Sequence, residues 1–176
     1  MVKILLSHPE IDVNWGRVEL DVYFRPMPYG ALDVASQLGL QEVVRLLVNH
    51  PKIVIETTGP GNFSALHFAS KGGSVEVVKI LLTKIDVNTA DIKGQTALHI
   101  ASLQGHSDIV ELLLGQPEID VNRKTNDTVI GGKTFELGYT ALYMASQQGH
   151  AEIVDLLLQH PGLDAGQEAS NYGWQS

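Results

Sequence analysis

The chain has 176 residues, enough for one domain with a sizeable core, and its hydrophobic content of 44% is that of a globular protein. Its 20 acidic against 12 basic residues give a formal net charge of −8, a field that repels phosphates and counts against nucleic-acid binding. The absence of cysteine excludes disulfides and thiolate metal sites, and no apolar run is long enough for membrane insertion.

The chain opens on Val2-Lys3-Ile4-Leu5-Leu6, which is identical to Val78-Lys79-Ile80-Leu81-Leu82. The run stops at Ser7-His8-Pro9, too early for a secretion signal, which together with the lack of cysteine favours an intracellular, cytoplasmic setting. Next comes PEIDVN at Pro9–Asn14, repeated at Pro117–Asn122 and shortened to IDVN at Ile85–Asn88. Such recurrence marks a periodic chain.

Aligned on a small residue followed by leucine, four full units appear: GALDVASQLGLQEVVRLLV from Gly30, SALHFASKGGSVEVVKILL from Ser64, TALHIASLQGHSDIVELLL from Thr96 and TALYMASQQGHAEIVDLLL from Thr140. Each reads as two short helices. Ser64, Thr96 and Thr140 offer hydroxyl N-caps, and Gly39, Gly73, Gly105 and Gly149 suit a left-handed C-cap between the helices. In the second helix Ile109, Val110, Leu112 and Leu113 form an apolar stripe, with Asp108 and Glu111 off it. Neither helix is long enough to be stable alone, so the units must stack into a solenoid.

Insertions lengthen two of the connections. The first, WGRVELDVYFRPMPY, carries Trp15, Tyr23, Phe24 and Met27, and the second places Gly131-Gly132 between Val129-Ile130 and Thr134-Phe135, the mark of a hairpin. The expected organisation is a single domain over 1–176. It has a partial unit at 1–14, full units near 15–56, 57–88, 89–122 and 123–166, and a partial unit at 167–176. With units cut at both ends, the chain reads as a piece of a longer array or an incomplete gene model. A poorly covered side of the Gly30–Gln37 helix, and Ile153 and Leu157 in the last unit, are expected to promote self-association.

Chemistry finds little support. Gly132-Lys133-Thr134 resembles the tail of a phosphate-binding loop, but Asp127 stands where that loop needs glycine. The seven histidines all sit at register positions: His67 and His99 in the first helix, His106 and His150 after the interhelix glycine, and His8, His50 and His160 before proline or at a helix end. No catalytic residue, metal site or cofactor follows, and an enzyme is not expected.

The residues Gly94, Thr96-Ala97-Leu98-His99, Ala101, Gly105-His106, Ile109-Val110 and Leu112-Leu113-Leu114 resemble the ankyrin repeat family, with alanine in place of the usual proline after the threonine. The resemblance implies an all-α solenoid of stacked helix pairs with β-turn or hairpin fingers. It also implies a hydrogen bond from each ALH histidine to the hydroxyl residue, Ser64 or Thr96. The function implied is a non-catalytic module that binds another protein. A structural spacer with no partner of its own is the rival reading. The family's groove positions fall on Tyr29, Gln37 and Leu38; on Phe63, Lys71 and Gly72; on Ile92, Lys93, Gln95, Leu103 and Gln104; and on Tyr139, Gln147 and Gln148. Phe63 and Tyr139 are the expected anchors, whose truncation to alanine should weaken binding and leave folding nearly unchanged.

Overall fold

The computed structural model describes residues 11–14, 29–55, 61–126, 128–130, 133–135 and 138–164. The helix expected over 2–7, Trp15, Tyr23, Phe24 and Met27 of the first insertion and the terminal finger at 171–176 lie outside the described residues.

Among the described residues the chain forms four helix pairs. They are α1 (Ala31–Gln37) with α2 (Gln41–Val48), α3 (Ala65–Gly72) with α4 (Val75–Leu81), α5 (Ala97–Gln104) with α6 (Ser107–Leu114), and α7 (Ala141–Gln148) with α8 (Ala151–Gln159). First helices pack side by side in one layer (α1, α3, α5, α7), and second helices do so in the other. Between α6 and α7, β1 (Thr128–Ile130) pairs antiparallel with β2 (Lys133–Phe135), Ile130 facing Lys133 across the expected Gly131-Gly132 turn positions.

The two-helix unit follows from its punctuation. Gly73, Gly105 and Gly149 end their helices at φ between +76° and +80°, a conformation that other residues enter only with strain. The small residues then set how closely units approach. Every residue from Ala65 to Ser70 and from Ala97 to Ser102 is buried. At Gly72 a Cβ would stand 2.1 Å from the Gln37 carbonyl oxygen, so glycine lets α3 come hard against α1.

The second helices show two kinds of core slot. Val77, Ile109 and Ile153 are buried in one, which the half-buried Val43 fills in α2, and Leu47, Leu81, Leu113 and Leu157 are buried in another. Ile153 and Leu157 were expected to lie open at the end of the array. They are instead only 1% and 0% exposed, because these slots point into the unit's own pair and the unit before it. The slot left open in α8 is one residue further on, at Leu158, which is 53% exposed. In α1, Ala31 and Val34 are exposed, as expected for its less covered side.

The recurring IDVN segment is an inter-unit clip. Asp12, Asp86 and Asp120 each accept the N–H of the asparagine two residues on, which turns the chain. Val13, Val87 and Val121 are buried. The asparagine side chain then pairs with the backbone of the next connector. Asn14 donates to the Lys52 carbonyl (2.8 Å) and accepts from Val54 N–H (2.9 Å). Asn88 does the same with Glu118 and Asp120, and Asn122 with Gly162 and Asp164.

Candidate functional site

The free surface of the first-helix layer lies at its two ends, because the middle turns of α3 and α5 are wholly buried. One end carries the fingers, the loops that enter each first helix. The other carries the last turns of those helices, about 12 Å away for eight residues at the helical rise.

The third and fourth fingers are each held by the N-cap of their own helix and by a histidine of the unit before. Ser64 N–H donates to His67 Nδ1 (3.0 Å) and the Ser64 hydroxyl lies 2.7 Å from the same nitrogen. Thr96 and His99 repeat this at 3.2 and 2.9 Å. Since Nδ1 receives a backbone N–H, the ring proton sits on Nε2. That nitrogen donates to the next finger: His67 to the Gln95 carbonyl (2.9 Å), and His99 to the carbonyls of Arg123 (2.9 Å) and Tyr139 (3.2 Å). Burial holds both imidazoles below the ordinary histidine range, against the raising effect of those carbonyls and of the Asp91 charge.

Units one and four solve the same problem differently. Asp33 occupies the histidine slot in α1 and accepts Gly30 N–H at 2.9 Å, but a carboxylate has no proton to donate onward. In α7 the slot holds Tyr143, whose N–H is capped by Thr140 Oγ1 (3.1 Å) and whose ring stacks on Tyr139 at 4.5 Å.

Neighbouring fingers bond to one another. Ile92 N–H donates to the Gly61 carbonyl (2.9 Å), Asn126 N–H to the Lys93 carbonyl (2.7 Å), and Asn126 Nδ2 to the Ile92 carbonyl (2.9 Å). The third finger closes on itself through Asp91, which accepts N–H groups from Lys93 and Gln95. Ile92, Lys93, Gln95, Phe63 and Tyr139 are thereby brought into one strip, with Arg123 and Lys124 of the next finger beside them. Arg123, Lys124 and Asn126 were missed by reading only the slots next to the helix; the Asn126 bonds that join the fingers leave no periodic sequence signal.

The last turns form the second strip. His106 Nε2 lies 3.4 Å from the Lys71 carbonyl and His150 Nε2 3.3 Å from the Leu103 carbonyl, each imidazole seated on the interhelix glycine of the preceding unit. Gln37, Leu38, Lys71, Gln104, Gln147 and Gln148 are exposed there and Leu103 is half-buried. Gly72 serves packing, as its approach to Gln37 requires.

The large apolar groups divide. Ile92 and Leu38 are 68% and 66% exposed. Phe63 and Tyr139 are half-buried, Phe63 with its ring 5.8 Å from those of His67 and Phe68, and Tyr29 meets Phe68 edge-on at 4.8 Å. Truncating Phe63 or Tyr139 would therefore remove these ring contacts as well as surface.

A cleft of about 350 Å³ lies elsewhere, between the connectors at Leu82–Asn88 and Gln116–Glu118. It opens where the second unit's connector is shorter, and its Asn88 amide is already committed to the neighbouring backbone. Among the described residues no helix is long and apolar enough to cross a membrane.

A family model described as "Ankyrin repeats (3 copies)" matches residues 32–125, and a second, "Ankyrin repeat", matches residues 137–170. No curated protein matches the chain.

Proposed function

The chain belongs to the ankyrin-repeat family, whose members are generally non-enzymatic protein-interaction modules; from that premise we propose that it binds another protein through its finger strip and the last turns of its first helices. One observation carries this reading. The finger and last-turn slots at Leu38, Lys71, Ile92, Lys93, Gln104 and Gln148 differ from unit to unit and are exposed, whereas the capping-hydroxyl, alanine and leucine slots that recur at Ser64, Ala65 and Leu66 and at Thr96, Ala97 and Leu98 are buried. Leu38 and Ile92 are large apolar groups left in water where packing does not require them. Finger and last-turn side chains at Gln37, Lys71, Lys93, Gln104, Gln147 and Gln148 complete the surface.

The test is selection of a random peptide display library on the immobilised protein, with a Leu38→Glu/Ile92→Glu variant as the counter-target. Both sites are exposed, so the variant should melt with the parent. Peptides held by the parent and lost on the variant are the expected result. A library that yields no binder, or binders that hold both proteins equally, would favour the spacer reading.

A further inference from the structure

We propose that the partner segment received by the finger strip is acidic as well as apolar. This rests on the binding reading above and gives the partner its chemistry. Although the chain as a whole is acidic, its charges are segregated among the described residues. The exposed or half-buried charged groups on the described fingers are all cationic: Lys93, Arg123 and Lys124. None of the three forms an ion pair among the described residues, where the pairs are Arg45–Glu42 and Lys79–Glu76 on second helices. Lys71 adds a further exposed cation on the last-turn strip.

The described carboxylates of this layer are buried. Asp33 and Asp91 are each 5% exposed, Asp33 accepting Gly30 N–H and Asp91 accepting two N–H groups of its own finger. Among the described residues the exposed acids stand on the other layer and its connectors, as at Glu42, Glu76, Asp108 and Glu152. The finger insertion itself, with Arg123, Lys124 and Lys133 against Asp127 and Glu136, does not reverse the sign.

The cations adjoin the apolar groups a partner would cover. Lys93 follows Ile92, and the Asn126 bonds to the Ile92 and Lys93 carbonyls hold the Arg123–Asn126 segment against them. Complementary charge around an apolar centre selects the partner and speeds its approach. A basic segment would meet three cations that form no ion pair among the described residues and be disfavoured.

The experiment uses two fluorescein-labelled 15-residue peptide pools of matched Leu, Phe and Tyr content, one bearing Asp and Glu and the other Lys and Arg. Fluorescence anisotropy is read on the whole chain. The acidic pool should bind, weaken with added salt, and lose about tenfold in affinity on Lys93→Glu. Lys84→Glu, on a connector, should leave binding unchanged. Preference for the basic pool, lost on Ile92→Glu, would overturn the acidic assignment and leave protein binding at this face intact. Binding of neither pool would overturn both. Equal effects of Lys93→Glu and Lys84→Glu would show that bulk charge is responsible and overturn the proposal. A labelled 15-nucleotide single strand that binds the strip more tightly than the acidic pool would replace a polypeptide with a polyphosphate.

Discussion

Lowering the pH from 7.5 to 5 should destabilise the array, and His67 and His99 should account for most of the loss. Each ring is 1–2% exposed, accepts a backbone N–H on Nδ1 and donates from Nε2 to the next finger. A proton added to Nδ1 would turn its acceptor into a donor facing Ser64 or Thr96 N–H, breaking the helix cap. Burial opposes the charge as well. The folded pKa is thus below the unfolded value of about 6.5, so between the two the unfolded chain binds more protons. Stability is therefore full above about pH 6.5 and falls as the pH drops toward the folded pKa, by up to about 1.4 kcal/mol per pH unit for each histidine. Deleting one ring removes an N-cap partner and an inter-unit bond together, and His99→Ala should cost about 3–4 kcal/mol at neutral pH. Urea unfolding at half-unit pH steps reads both effects. Stability that stays level to pH 5, or a His67→Ala/His99→Ala variant that keeps the parent's slope, would refute the reasoning.

Gly105→Ala should destabilise more than Gly149→Ala, by about 1 kcal/mol in paired melts. Both pay for a left-handed backbone, but only at Gly105 does the new Cβ come within 2.7 Å of the His150 ring, while nothing lies within 4 Å of Gly149. Gly72→Gln, which installs the residue found at Gln104 and Gln148, should cost about 2–4 kcal/mol by urea titration, since the obstacle is the Gln37 backbone. Ser70→Ala and Ser102→Ala should each raise stability by about 1 kcal/mol, because both hydroxyls are buried without a hydrogen-bond partner; a melting temperature that falls would contradict this.

What could be read in advance was whatever recurs. The caps at Ser64, Thr96 and Thr140, the interhelix glycines, the helix pairs and the hairpin at Ile130–Lys133 each depend on local chemistry, and local chemistry is written in adjacent residues. The histidine bond to the hydroxyl came from the family resemblance. The second bond of each histidine, into the next unit, was not legible, because its acceptor is a backbone carbonyl that any residue supplies. The burial of Ile153 and Leu157 was misjudged because an apolar stripe does not say which slot faces backward along the stack and which faces forward. The separation of the described finger cations from the described acids of the second layer and connectors escaped a whole-chain total that sums both.

The inter-unit bonds share a form that explains why the fingers are free to differ. A constant side chain reaches for a backbone group of the next unit. His67 takes the carbonyl of Gln95 and His99 that of Tyr139, although glutamine and tyrosine have little in common. Asn14, Asn88 and Asn122 take the carbonyls of Lys52, Glu118 and Gly162. Since these bonds use only the main chain, they do not fix the side chain at the acceptor position: Tyr139 packs its ring on Tyr143, whereas the Gln95 side chain can be set by what lies outside. Gln95→Tyr should accordingly change stability by less than about 0.5 kcal/mol in urea titrations, while altering which peptides the finger strip retains. The His67–Gln95 bond should survive in the variant, visible as an unchanged pH slope. A loss near that of His67→Ala would mean that the Gln95 side chain is part of the scaffold after all, and that the separation of scaffold from surface fails at the position where both meet.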